Sequence, residues 1–167
     1  SKELREGIIC PVLLGSAENG HGILRLLKAL RHEAPFVENT AKRLGVNKTP
    51  SCAFVEKTFH TAHGGKLSLA RVLSGTFADG ATVEGAADDE RISGLFTLLG
   101  QEPTKRGEAK PGDTVAFGRL DSTKTGDTLV AEKSKPVKLE TTPPARPVFG
   151  LAIAAKEKKD EVKLTAA

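Results

Sequence analysis

Residues 51–85, SCAFVEKTFHTAHGGKLSLARVLSGTFADGATVEG, decide the fold. SCAFVEKTF at 51–59 and KLSLARVLS at 66–74 mix Val, Leu and Phe with polar residues, as half-buried strands do. HGG at 63–65 and ADG at 78–80 place Gly where a chain reversal needs positive φ, and ATVEG at 81–85 begins another run. The rhythm continues outward through ERISGLFTLL (90–99), DTVAFG (113–118) and DTLV (127–130), with PGD at 111–113 and TGD at 125–127 between. Six or more short strands joined by such turns predict a mostly β fold, an antiparallel barrel or sandwich over 51–141.

The flanks read differently. IICPVLL at 8–14 is a continuous apolar run, expected as a buried strand ending in the turn GSAENG. Ile23, Leu24, Leu26, Leu27 and Leu30 then fall at helical spacing, predicting a helix over 22–33 with Asn19 or Gly20 as N-cap and Pro35 closing it. A strand, loop and helix need a parallel sheet to bury them, so residues 1–35 look like the last rung of an α/β domain. Residues 36–50 read as a linker or short helix. TTPPARP at 141–147 is a stiff proline-rich connection, and over 142–167 VFGLAIAA reads as one orphan strand before the polar tail KEKKDEVKLTAA.

Hydrophobic residues make up 38% of the 167, which fits a globular fold rather than a disordered chain. The only aromatics are seven Phe, so no stacking platform for single-stranded bases is apparent. No run approaches the roughly 18 apolar residues of a membrane span, and no leader pattern precedes a cleavage site. A cytoplasmic protein with neither membrane nor DNA as partner is expected. Cys10 and Cys52 lack CxxC spacing and sit in apolar runs, so both are expected as buried thiols rather than a disulfide or metal site. The net charge of +4 is spread along the chain and permits RNA contact without demanding it. The absence of Met points to a piece of a longer chain.

Chemistry-bearing constellations are sparse. A phosphate-cradling loop needs G-x-x-x-x-G-K-[ST] after a strand, and no such string occurs, so no nucleotide hydrolysis is expected of the chain alone. NKTP at 47–50 lacks the Asp of a guanine-specific N-K-x-D and reads as linker. His60 and His63 have HxxH spacing but no nearby residues to complete a tetrahedral metal set, and are expected to be solvated. Asp88, Asp89 and Glu90 read as a solvated hairpin edge. Lys66, Arg71, Lys105 and Arg106 lie in the β region and are candidates for phosphate contact, with scattered surface charge the competing reading. No Ser-His-Asp or Cys-His arrangement is readable, and no catalytic or metal-ligating residue is expected.

GKLSLARVLSGTFADGATV at 65–83 and KPGDTVAFGRLDSTKTGDTL at 110–129, including TKTGDTL, resemble the second domain of elongation factor G. PVLLGSAENGHGILRLLKAL resembles the close of that family's GTP-binding domain, and RPVFGLAIAAKEKKDEVKL the opening of its third domain. The resemblance implies a translation-factor-type β-barrel, flanked by an α/β remnant and an orphan strand, within a ribosome-binding GTPase. It implies docking on small-subunit ribosomal RNA and GTP or GDP with Mg²⁺ in the full-length parent, with no cofactor held by this stretch. Ser16 and Ala17 would then belong to the loop framing the guanine base, unoccupied here. The junction over 35–50 departs from the proline-rich pattern of a housekeeping elongation factor G and favours an elongation-factor-G-like paralogue. A ribosomal protection or release-factor-type GTPase stays open, as does a free-standing β-barrel interaction module without enzymatic activity.

Overall fold

In the computed structural model, which describes residues 2–61, 65–85, 89–100, 102–131, 137–143, 145–158 and 161, the longest ladder joins β1 (Cys52–Thr61) to β2 (Gly65–Ser74). Its register shifts after Cys52 and again between Val55 and Lys57, and such irregularities bend and twist a strand pair. Ala53 and Val55 of β1 and Ala70 and Val72 of β2 point to one side and are fully buried. Six further strands extend this hairpin: β4 (Thr82–Glu84), β5 (Asp89–Arg91), β6 (Leu95–Leu99), β7 (Glu102–Arg106), β9 (Thr114–Gly118) and β10 (Thr128–Ala131). Their order is β5-β4-β10-β1-β2-β9-β6-β7, and every pairing is antiparallel. A separate two-stranded ribbon pairs β3 (Phe77–Ala78) with β8 (Glu108–Ala109).

The sheet curls around one core. Val83, Leu95, Val115, Phe117, Leu120 and Leu129 join the four hairpin residues, and Phe77 reaches in from the ribbon. The Phe77 and Phe117 rings lie 5.4 Å apart at 53°, a tilted pairing favoured by ring quadrupoles. The ladder is open between β5 and β7. Across part of that gap the irregular segment 92–94 supplies single bonds, Ile92 N–H to Ala81 O at 2.9 Å and Ser93 N–H to Gly118 O at 3.1 Å. The result is the expected mostly antiparallel, barrel-like fold with few helices. The six strand-forming runs read from the sequence all form strands, ERISGLFTLL contributing both β5 and β6.

A second, smaller cluster lies on the outside. Helix α3 (Val37–Arg43) and the turn after it bring Ala41 and Val46 against Cys52, Leu73, Val130 and Leu139, with Phe54 and Val137 at the margin. Of the two readings of 36–50, linker or short helix, the helix is present over Val37–Arg43 and is packed.

Beyond the barrel the structure corrects four expectations. Residues 8–14 form no strand and are exposed, Val12 at 85% and Leu14 at 89%. Residues 148–155 form no strand either, with Val148 97% exposed. The cause is common to both: a strand is held by its neighbours' N–H and C=O groups, and neither segment meets a sheet edge among the described residues. Consequently Cys10, in the first run, is exposed, whereas Cys52 is buried as expected. Helix α2 (Ile23–Glu33) follows α1 (Lys2–Arg5) and forms where the apolar spacing predicts, but its N-cap is Gly22 at φ 77°, not Asn19 or Gly20. Its apolar stripe, Leu26, Leu27 and Leu30, stays exposed.

Candidate functional site

The outer face of β1, β2, β9 and β6 carries an open groove of about 450 Å³, lined by Lys57, Phe59, Leu69, Leu98, Gly100 and Thr114. Alternation puts Leu69 and Arg71 on this outer face because Ala70 and Val72 face the core. Arg71 donates to Thr114 Oγ1 at 3.2 Å across the β2–β9 ladder, at the groove's rim. One residue along, the Asp113 carboxylate meets Arg106 of β7 at 3.2 Å. Arg71 and Arg106 thus converge on the Asp113–Thr114 corner. Lys105, next on β7, pairs with Asp79 at 3.3 Å. Lys66 stands five residues from Arg71 on β2, roughly 17 Å away at strand rise, and donates to Asp121 O at 2.6 Å. Three of the four cations therefore gather near one end of the barrel and Lys66 lies toward the other. Each has an intramolecular partner, which orients it.

Two carboxylates are held below their usual range. The Gly94 N–H, donating to Asp79 Oδ1 at 2.8 Å, is the main cause for Asp79, followed by Lys105. For Glu90, burial pushes the carboxyl up, but the Ser122 N–H at 2.9 Å and the Thr123 hydroxyl at 2.8 Å more than offset it. Glu90 is thus not part of a solvated edge: it ties β5 to Ser122 and Thr123, 32 and 33 residues further on. Residues so far apart in sequence carry no local pattern that would have shown this bracing. Asp89 beside it is exposed, and Asp88 lies outside the described residues. His60 is exposed on β1, and its spacing partner His63 also lies outside the described residues.

The Ser16–Ala17 loop is a tight reversal. Ser16 N–H donates to His21 O at 2.9 Å, and the Asn19 side-chain amide donates to Ser16 Oγ at 3.3 Å. Ser16 is half-buried and Ala17 exposed. The Cys52 thiol is pushed up to about 11 by burial, so it is protonated at neutral pH and is no nucleophile. No helix among the described residues is long and apolar enough to cross a membrane.

The family model for elongation factor G domain 2 matches residues 50–132. An elongation factor G-like protein of Synechocystis sp. is 39% identical, the match covering 99% of this chain and 24% of that protein. Elongation factor G of Chlamydia trachomatis is 33% identical over 99% of this chain and 26% of its own length. Elongation factor G of Aquifex pyrophilus is also 33% identical, over 98% and 26% respectively. A crystal structure of a Thermus thermophilus protein superposes with a TM-score of 0.71 at 23% identity, covering 99% of this chain and 24% of that one, a likeness of fold. The chain spans about a quarter of the length of the curated relatives it matches.

Proposed function

Since residues 50–132 belong to the elongation factor G domain 2 family, we propose that the chain is the barrel-centred part of a ribosome-associated translational GTPase acting in the cytoplasm. In this reading the barrel docks on small-subunit ribosomal RNA and helps relay nucleotide state between the domains on either side. The observation that carries it is similarity running through 99% of the chain to an elongation factor G-like protein, into flanks that the family model does not reach. The Asp113–Thr114 corner supports it physically, because Arg71 and Arg106 are oriented there beside an open outer face and could turn to phosphates.

GTP or GDP with Mg²⁺ would be held by parts of the longer protein, since no phosphate-cradling string lies in this chain. The loop at 15–22 fits a guanine base only in part. Ser16 N–H is taken by His21 O, which leaves Ala17, exposed at the reversal, as the position from which a backbone N–H would meet the base.

Cosedimentation of the whole protein with small ribosomal subunits across a salt series tests the docking. Replacing Arg71 and Arg106 together by Ala should lower the slope of log affinity against log salt by roughly 1.5 to 2, one contact per cation. An unchanged slope would remove this corner as the RNA contact.

A further inference from the structure

The second cluster joins two parts of the chain that lie on opposite sides of the barrel in sequence. From the entry side come Ala41 of α3 and Val46, 2% and 0% exposed; from the exit side comes Leu139, 8% exposed. Between them the barrel supplies Cys52, Leu73 and Val130 as a buried floor. Polar ties fasten each side separately. On entry, Val46 N–H closes the turn onto Ala41 O at 2.9 Å, and Ser74 Oγ holds Thr49 O at 3.0 Å. On exit, Leu139 N–H donates to the buried Thr128 Oγ1 at 3.0 Å, and Thr141 lies over the turn at Gly126.

Neither flank has enough apolar contact to seat alone. Ordering residues 137–141 costs conformational entropy that Leu139, the half-buried Val137 and the Leu139 N–H bond to Thr128 offset only in part. Leu139 depends on a floor that α3 also roofs, and removing either roof exposes the same floor to water. We propose that residues 137–141 form a strap whose seating is coupled to α3 through this shared cluster, so that the segments entering and leaving the barrel lock or release together. The coupling stands or falls apart from ribosome docking, because it concerns the two flanks alone.

By linkage the coupling is reciprocal: loosening the strap weakens the seating of α3 by the same factor by which loosening α3 weakens the strap. Native-state hydrogen exchange of the full chain reads this at three places: the Leu139 N–H of the strap, the Val46 N–H of the entry turn, and the amides of β9 in the main core as a control. Thr128→Val removes the strap's acceptor without emptying the core, and Leu139→Ala removes its apolar anchor. Each should speed exchange at Val46 about tenfold and at Leu139 or its replacement by at least as much, with β9 unchanged. In reverse, Val46→Ala should speed exchange at Leu139. Acceleration confined to the mutated flank would overturn the coupling, and so would acceleration shared equally by β9, which would mean that the whole barrel opens instead. No change at Leu139 in Thr128→Val would show that the strap is not seated as proposed.

Discussion

Two turns of this molecule are near copies: Lys110-Pro111-Gly112-Asp113-Thr114 and Lys124-Thr125-Gly126-Asp127-Thr128. In each, the Asp N–H donates back to the Lys carbonyl, at 3.0 and 3.1 Å, and the Asp carboxylate accepts the Lys N–H, at 2.9 and 2.7 Å. In each, the Gly-Asp pair clamps one valine of the central hairpin by two backbone bonds. Gly112 N–H to Val72 O and Val72 N–H to Asp113 O are both 2.9 Å; Gly126 N–H to Val55 O and Val55 N–H to Asp127 O are 2.8 and 2.9 Å. The difference lies in what covers them. The first turn is overlain by Val37 of the entry helix and the second by Thr141 of the exit strap. One local solution to joining strands has been used twice, and the surroundings have given the two copies different duties.

The largest effect should come from breaking the shared feature. Gly112 and Gly126 both have φ +92°, a conformation that costs an L side chain roughly 1–2 kcal/mol. A Cβ would stand 3.5 Å from Val37 Cγ1 at the first turn but 3.2 Å from Thr141 Cγ2 at the second. Gly112→Ala should therefore destabilise by about 1.5 kcal/mol and Gly126→Ala by about 2 kcal/mol, measured by denaturant unfolding. Equal losses would mean that the strap yields freely. A loss near zero at either site would show that the turn relaxes to another geometry.

The closing threonines separate the copies by burial. Thr128 is 7% exposed and accepts the Leu139 N–H, whereas Thr114 is exposed and accepts from Arg71. Thr128→Val leaves a buried donor unsatisfied and should cost about 1–2 kcal/mol, while Thr114→Val should stay within about 0.5 kcal/mol. Comparable losses would equate the two duties.

Much of this pairing is visible in the sequence, because Gly-Asp turns between runs of alternating residues are local signals. So are β1, β2, β9 and β10, whose apolar residues alternate or cluster within single runs. What escaped is non-local. β7 reads Glu-Pro-Thr-Lys-Arg, with no apolar face, and forms only because it pairs with β6 at the sheet's edge, where Pro103 and charged residues are tolerated. β3 and β8 are two residues each, too short for any period. The runs at 8–14 and 148–155 have the right composition for strands but lack a neighbour, which composition does not report. At the candidate site the cations were legible as residue types. That Arg71 and Arg106 meet at one corner while Lys66 stands apart depends on the order β2-β9-β6-β7, and this follows from pairing rather than from spacing.

A smaller effect comes from acid. Glu90 braces Ser122 and Thr123, immediately before the second turn. Its carboxyl is held below the usual carboxylate range, so its contribution is fully present above the unfolded value near 4.3 and is lost as pH falls through the lower folded one. Amide exchange at Ser122 and Thr123, corrected for intrinsic rates, should rise below about pH 4 relative to that at Gly112. Glu90→Gln, discounted for partial exposure, should cost about 1 kcal/mol at neutral pH and flatten that dependence. A parallel rise at both turns would show that acid loosens the barrel as a whole rather than the Glu90 brace.

The smallest effect is the most specific, and it concerns the one position where the copies differ, Pro111 against Thr125. Each occupies the second place of a turn with glycine at the third, where proline's fixed φ suits the geometry. Proline there stabilises by roughly 0.4–1 kcal/mol through the unfolded chain. Thr125 offers something else: its Oγ1 accepts the Thr58 N–H at 2.9 Å and lies 3.1 Å from the Thr58 hydroxyl, both in an exposed setting where water can replace them. A hydrogen bond that water can replace contributes roughly 0.5–1.5 kcal/mol. Thr125→Pro therefore exchanges one gain for a loss of similar size and should change stability by less than about 0.5 kcal/mol. Pro111→Thr has the entropy to lose, and should cost about 0.4–1 kcal/mol unless the new hydroxyl finds a donor. The swap is thus asymmetric although the turns are alike. If both substitutions proved neutral, proline would be merely tolerated at 111; if Thr125→Pro cost more than about 1.5 kcal/mol, the Thr58 bond would be stronger than its exposure allows.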